Sequence, residues 1–274
     1  MMAPESARYK TLRWGLSTLG CPEYDLAAAV ELADRYGIEF LEIRTLNGTV
    51  DCRKTLYYPE NEPVMRRLAA AGRCRVLDSS FGLTEDKPGA REALVEIART
   101  ADDFGIPYIR VFGGGNFSEA LDDARVRQAA ENLAWFREQK FGALLALETH
   151  DIASSARDCR KLQERLGAAL PIIWDAHHTF QLAGEAFADS FREIGGTTVG
   201  VHFKDSHPVM TPEGRFCSYD LIGEGTVPLD ELFALLEQEH CDVPVTLEHE
   251  KFWRKQLPEI TVELDSWRDF RNRK

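Results

Sequence analysis

The sequence predicts a closed (β/α)8 barrel built as a single domain. Eight short apolar runs rich in Val, Ile, Leu and Phe recur along the 274 residues, and runs apolar on both faces suit the buried strands of a parallel sheet. Amphipathic stretches with helical spacing alternate with them. No Pro/Gly/Ser-rich linker breaks the alternation, and such a barrel typically takes about 250 residues. A doubly wound open sheet is the alternative. It usually brings a Gly-rich fingerprint after its first strand, and Leu16-Ser17-Thr18-Leu19-Gly20-Cys21 is not one.

In chain order the predicted strands are Leu12–Ser17, Ile38–Ile43, Arg75–Ser79, Tyr108–Phe112, Ala143–Glu148, Pro171–Trp174, Thr198–Phe203 and Val243–Leu247. After the first, Leu26, Ala29, Val30 and Ala33 follow helical spacing, with Asp25 at the N-cap and Gly37 beyond the end. Val126, Ala129, Leu133 and Phe136 line one face of the helix between the fourth and fifth strands. Leu229, Leu232, Phe233 and Leu236 do the same before the last strand. The barrel core runs from about residue 12 to 253. Residues 254–274 form a helical tail whose end, Asp265–Lys274, reads as a solvated helix terminus. Asp205–Val227, with Pro208, Pro212 and three Gly, is non-periodic and reads as a lid loop.

Composition narrows the function. Hydrophobic residues are 44% and charged residues 28%, an ordinary globular balance. Acidic residues outnumber basic ones 45 to 33, giving net charge −12, which disfavours a nucleic-acid partner. No apolar run approaches the roughly 18 residues that span a bilayer. The start, Met1-Met2-Ala3-Pro4-Glu5-Ser6, lacks the basic and apolar regions of a signal peptide. Six Cys without a C-x-x-C pair read as reduced, mostly structural thiols of a cytoplasmic protein.

Polar residues gather where the strands end. The fifth strand ends Leu147-Glu148-Thr149-His150-Asp151, and the sixth Trp174-Asp175-Ala176-His177-His178. The seventh continues Val201-His202-Phe203-Lys204-Asp205, and the eighth Leu247-Glu248-His249-Glu250-Lys251. In a barrel these are the active-site ends. Glu148, Asp175, His202 and Glu248 would then converge, and three carboxylates so close need a cation or raised pKa values. One divalent metal resolves the conflict. Three oxygens and one imidazole favour Mn²⁺, Mg²⁺ or Co²⁺, with Zn²⁺ also suitable. The competing expectation is a rim of ion pairs with Arg44, Arg110 and Lys204.

Other residues take plainer readings. Of the adjacent His177 and His178, His178 is expected in the site, and His207 and His249 at the surface or behind the site. Asp205 is expected to pair with Lys204 or an arginine rather than hold a second metal. Gly113-Gly114-Gly115-Asn116 reads as a flexible loop in preference to a phosphate cradle. Trp14, Trp135 and Trp174 are expected in the core and Trp253 at the pocket mouth. Cys21 has no activating base in view.

Glu-x-His after the fifth strand, Asp-x-x-His after the sixth, His-x-Lys-Asp in the seventh and Glu-x-Glu at the eighth resemble the xylose isomerase-like TIM barrel superfamily. Phe40-Leu41-Glu42-Ile43-Arg44, Ile109-Arg110-Val111-Phe112-Gly113-Gly114, Gly223-Glu224-Gly225 and Glu250-Lys251-x-Trp253 add to the likeness. This superfamily includes sugar phosphate isomerases/epimerases, ketose 3-epimerases and inosose dehydratases. The resemblance implies one divalent metal, Mn²⁺ first, on Glu148, Asp175, His202 and Glu248. It implies that Glu148 and Glu248 are the acid/base pair, and that His150, His178, Lys204 and Arg110 contact substrate. The implied reaction is isomerisation or epimerisation of a small sugar, keto-sugar or sugar phosphate through a metal-stabilised enediolate. An inosose-type dehydratase on the same metal site is the alternative, suggested also by Ser17-Thr18-Leu19-Gly20-Cys21-Pro22. An AP-endonuclease-like enzyme or a non-enzymatic binding barrel ranks lower. The expected partner is a small carbohydrate, with no nucleic acid and no membrane, and the family implies a homo-oligomer.

Overall fold

The computed structural model describes residues 8–211 and 214–273. The leader expectation at residues 1–6 and the expectation on Pro212 lie outside the described residues. In chain order the elements are β1 (Arg13–Ser17), α1 (Leu26–Tyr36), β2 (Phe40–Glu42), α2 (Cys52–Thr55), α3 (Glu62–Ala70), β3 (Val76–Gly82), α4 (Ala90–Phe104), β4 (Tyr108–Phe112) and α5 (Asp123–Glu138). Then come β5 (Leu144–Glu148), α6 (Ala156–Leu166), β6 (Ile172–Asp175), α7 (Phe187–Ile194), β7 (Thr198–Phe203), β8 (Asp205–Thr211), β9 (Gly214–Asp220), α8 (Leu229–Gln238), β10 (Pro244–Leu247) and α9 (Ile260–Arg271). All eight expected strands are present. With their helices they make the (β/α)8 TIM-barrel fold. No helix among the described residues is long and apolar enough to cross a membrane.

The chain divides into two compact units, Met1–Met65 with His202–Lys274, and Arg66–Val201. In the first, β1 lies between β2 and β10, parallel to both, with Ser17 beside Glu42 and Leu16 beside Leu247. The Asp25 carboxylate caps α1 by accepting from the Ala28 N–H. Gly37 ends that helix at φ +68, where a side chain would be strained. Leu26, Ala29 and Ala33 are buried as expected. Val30 is only partly so, and Leu32 takes its place in the core.

Two expectations in this unit are corrected. Asp205–Val227 is not an irregular loop. It begins with an antiparallel hairpin, β8 on β9, in register from Asp205 opposite Asp220 to Thr211 opposite Gly214. The C-terminal segment is not a solvated end either. α9 buries Ile260, Leu264, Trp267 and Phe270. Trp14 meets Trp267 edge-on at 5.3 Å and Phe233 at 5.1 Å, and Phe233 meets Phe270 at 6.1 Å. The Arg271 guanidinium lies over the Trp267 ring at 4.4 Å, and burial pushes its pKa down to about 10.

In the Arg66–Val201 unit, β4 lies between β3 and β5, and β6 follows β5, all parallel. Val76, Ala146 and Ile173 from three of these strands pack together, with Tyr108 and Val199 beside them. α5 buries Val126, Ala129, Leu133 and Phe136, the face read from the sequence. Ser155 caps α6 by accepting from the Asp158 N–H.

Candidate active site

Within the Arg66–Val201 unit, Asp78 and Arg110 are register neighbours on β3 and β4. Arg110 is buried and serves two acids. Its Nη2 is 3.3 Å from Asp78 Oδ2 and its Nη1 is 3.0 Å from Glu148 Oε2. The guanidinium also lies 4.5 Å from the centre of the Phe112 ring. Arg110 thus holds the carboxylate that ends β5.

Asp175 ends β6 fully buried. Its backbone N–H donates to Thr149 Oγ1 at 2.8 Å, and the Thr149 hydroxyl donates to the Asp175 carbonyl at 3.1 Å. The chain then turns into a short π-helical segment, so His177 and His178 do not alternate as strand neighbours would. Both are buried. The His178 backbone N–H donates to Asp175 Oδ1 at 3.0 Å. Its Nδ1 lies 2.9 Å from the Thr149 carbonyl and 3.1 Å from Asp175 Oδ2. Asp175, His177 and His178 each offer a donor atom, all within 4.8 Å of one another. His150, just past β5, places its Nδ1 2.7 Å from Asp151 Oδ1.

In the other unit, His202 on β7 is fully buried. Its Nε2 lies 2.9 Å from Glu42 Oε1 and its Nδ1 3.8 Å from Glu248 Oε1. A carboxylate on one ring nitrogen fixes the tautomer and aims the other nitrogen, the usual support for a metal-ligating histidine. Lys204 Nζ contacts Glu248 Oε2 and lies 3.3 Å from Glu250 Oε1. Arg44 sits 5.9 Å beneath the exposed Trp253 ring.

Contrary to expectation, no ion pair of Asp205 with Lys204 or an arginine is found among the described residues. Its carboxylate accepts from four backbone N–H groups, those of Ser206, Gly223, Gly225 and Val227. A Cβ at Gly225 would collide with that carboxylate. This close approach accounts for the second glycine of Gly223-Glu224-Gly225. Burial raises the Asp205 pKa despite these bonds. His249 is buried rather than at the surface, with Nε2 2.9 Å from the Pro258 carbonyl. His207 is partly exposed and pairs with Asp220 at 2.6 Å.

The glycine loop after β4 already holds a carboxyl group of the chain's own. The Gly115 N–H donates to Glu85 Oε1 at 3.0 Å. Cys21 lies in dry surroundings that push its thiol up to about 12, so no thiolate nucleophile arises there.

Glu148, Asp175, His202 and Glu248 are all buried, and carboxylate and imidazole groups of this kind could hold a divalent metal ion. The sequence reading missed Asp78, although an acid inside the apolar run Arg75–Ser79 carried the same signal as the others. It also missed the partnership of Glu42 with His202, which no spacing along the chain reveals.

The sequence model of the xylose isomerase-like TIM barrel family matches residues 28–269. The chain belongs to that family. No curated protein matches the sequence. Among solved structures, this xylose isomerase-like barrel is similar to a probable 3-DHS dehydratase, AsbF, involved in petrobactin synthesis in Bacillus anthracis. The TM-score is 0.71 and the identity 19%, over 93% of this chain and 98% of that one. It is also similar to the IolI protein with a bound zinc atom, with TM-score 0.68 and 14% identity over 94% and 96% of the two chains. A D-tagatose 3-epimerase-like protein matches with TM-score 0.62 and 15% identity over 94% and 99%. At these identities the likeness establishes the fold.

Proposed function

We propose that this chain is a divalent-metal-dependent isomerase or epimerase of a small sugar, keto-sugar or sugar phosphate, acting as one TIM-barrel domain. The observation that carries the reading is the donor set: three buried carboxylates and one buried imidazole aimed by Glu42. Glu148, Asp175, His202 and Glu248 would hold the ion, and this mixture suits Mn²⁺ first, then Mg²⁺, Co²⁺ or Zn²⁺. Zinc bound to IolI supports a metal role for the fold. When bound, such an ion supplies Lewis acidity to the oxygens of the substrate.

Glu148 and Glu248 are the proton-transfer pair. One removes the proton from the carbon beside the carbonyl, and the other returns a proton to it. Each member of the pair has a cation at its side, Arg110 beside Glu148 and Lys204 beside Glu248. His150, His178 and the cationic ends of Lys204 and Arg110 hydrogen-bond the substrate oxygens. The acid already seated in the glycine loop supports a substrate end without phosphate there. Net charge −12 and six cysteine thiols support a cytoplasmic enzyme of small molecules rather than of nucleic acid.

A second reading is a dehydratase, favoured by the likeness to the probable 3-DHS dehydratase. There the same proton abstraction is followed by loss of a β-hydroxyl, with His150 or Lys204 protonating the leaving oxygen. Elemental analysis of the wild type and of Glu248→Gln tests the metal site. About one ion per chain in the wild type and markedly less in the variant is expected; equal content removes Glu248 from the site. Turnover of a ketose panel in D2O then tests the chemistry. Deuterium on the product carbon is expected, and unlabelled product excludes proton exchange with solvent. An ultraviolet-absorbing enone from a keto-inositol selects the dehydratase.

A further inference from the structure

We infer that Trp253 is a specificity-determining residue whose indole stacks against the carbon skeleton of a carbohydrate substrate, beside the C-terminal ends of β1, β2 and β10. This role deepens the reading above and rests on it for the class of ligand. The turn that follows β10 folds back over its neighbours. The Phe252 N–H donates to the Leu19 carbonyl, just past β1, at 3.2 Å. The Trp253 N–H donates to the Glu250 carbonyl at 3.1 Å. Glu250 Oε1 in turn lies 3.3 Å from Lys204 Nζ, which contacts Glu248. Two groups hold the indole. Phe252 meets it edge-on at 4.6 Å, and the Arg44 guanidinium lies 5.9 Å from its centre. Arg44 is buried, and its backbone N–H donates to Thr18 Oγ1 at 3.0 Å, so this support is anchored at the ends of β1 and β2.

Exposure gives the second line of argument. Trp253 leaves 53% of its surface to solvent, whereas Trp14, Trp174 and Trp267 are buried. An indole is a large apolar surface with one polar atom, and water is a poor partner for its faces. Here it is held at the end of the barrel where substrates bind. Carbohydrates supply the complement. Their hydroxyls leave patches of C–H that pack on an aromatic face, while the oxygens go to polar side chains. Arg44 supports the ring from one side, and the solvent-facing side receives the C–H patch. Such a stack is made equally before and during the reaction. It therefore acts on substrate affinity and leaves the chemical step alone.

The test combines fluorescence with kinetics on the full chain, using the panel of ketoses and keto-inositols. Iodide quenches an exposed indole and spares a buried one. Saturating sugar is expected to reduce iodide quenching in the wild type, and Trp253→Phe is expected to lose that sugar-sensitive component. Trp253→Ala should raise KM about 5- to 20-fold, with kcat within about twofold and Tm close to that of the wild type. Trp253→Phe keeps an aromatic face and should recover most of the KM. If Trp253→Ala does not fold, the wild-type quenching and the Trp253→Phe variant decide. Quenching unchanged by a sugar that is turned over overturns the inference, as does a wild-type KM in Trp253→Ala, and the assigned reaction then still stands. A sugar that shields the indole without being turned over supports the stack and fails the reaction. A panel neither bound nor turned over overturns both.

Discussion

Glu42 and Glu263 are both buried acids beside a histidine, and they act differently. Glu42 faces both of its oxygens toward His202 Nε2, at 2.9 and 3.0 Å. Glu42→Gln weakens the acceptor that sets the His202 tautomer, and Mn²⁺ affinity by titration calorimetry should drop about 10- to 100-fold. Unchanged affinity would separate Glu42 from the metal. Glu263 Oε2 lies 3.6 Å from His249 Nδ1, and Glu263 Oε1 accepts from the Ile222 N–H at 3.3 Å. Burial dominates here and pushes the Glu263 carboxyl from 4.5 up to about 8. Burial likewise lowers the His249 pKa. The folded state therefore holds the Glu263 proton where the unfolded state has lost it. Glu263 costs stability progressively as pH rises from about 4.5 to about 8. Glu263→Gln has no such slope, so its stability relative to the wild type should improve between pH 5.5 and 8.5 in urea unfolding. The gain should be on the order of a few kcal/mol at most. Parallel stability profiles would show that Glu263 is ionised in the fold.

Asp205 ties together the element that sequence periodicity did not reveal. Its four N–H partners span the start of the hairpin and the turn leading toward α8. Asp205→Ala would leave these donors unmatched in a buried place, at a cost of at least about 2 kcal/mol in chemical denaturation. A loss below about 0.5 kcal/mol would mean that water replaces the carboxylate. The barrel strands were legible because both of their faces are buried, which writes continuous apolar runs. The hairpin leaves Met210 and Phe216 exposed and carries Pro208, so its composition resembles a loop. Proline is tolerated because each strand of a two-stranded sheet has an unpaired edge. α9 was misread because its Arg and Asp residues dominate its composition. Its apolar stripe of Ile260, Leu264, Trp267 and Phe270 holds the packing. Trp267→Ala should cost about 3–5 kcal/mol, read as a lowered Tm.

For the molecule as a whole, fold class followed from the alternation of runs and helices, and the comparisons confirm it over most of the chain. The strand-end acids were legible for a different reason. A charge set directly after a buried run needs a partner, so its position alone marks it. Pairings such as Glu42 with His202 join residues 160 positions apart, and no local pattern encodes them. A ligand that binds only the folded state raises its stability by about 2.7 kcal/mol at 100 times Kd. Mn²⁺ at that level should therefore raise the Tm by several degrees in the wild type and far less in Glu248→Gln. Equal shifts would place the ion elsewhere. All six cysteines are thiols, and Cys21, Cys74 and Cys159 are buried. Maleimide dyes should therefore spare these three and react first at the less sheltered Cys52, Cys217 and Cys241. A fluorophore on Cys217 would sit on the hairpin itself and follow its motion in solution without an engineered attachment point.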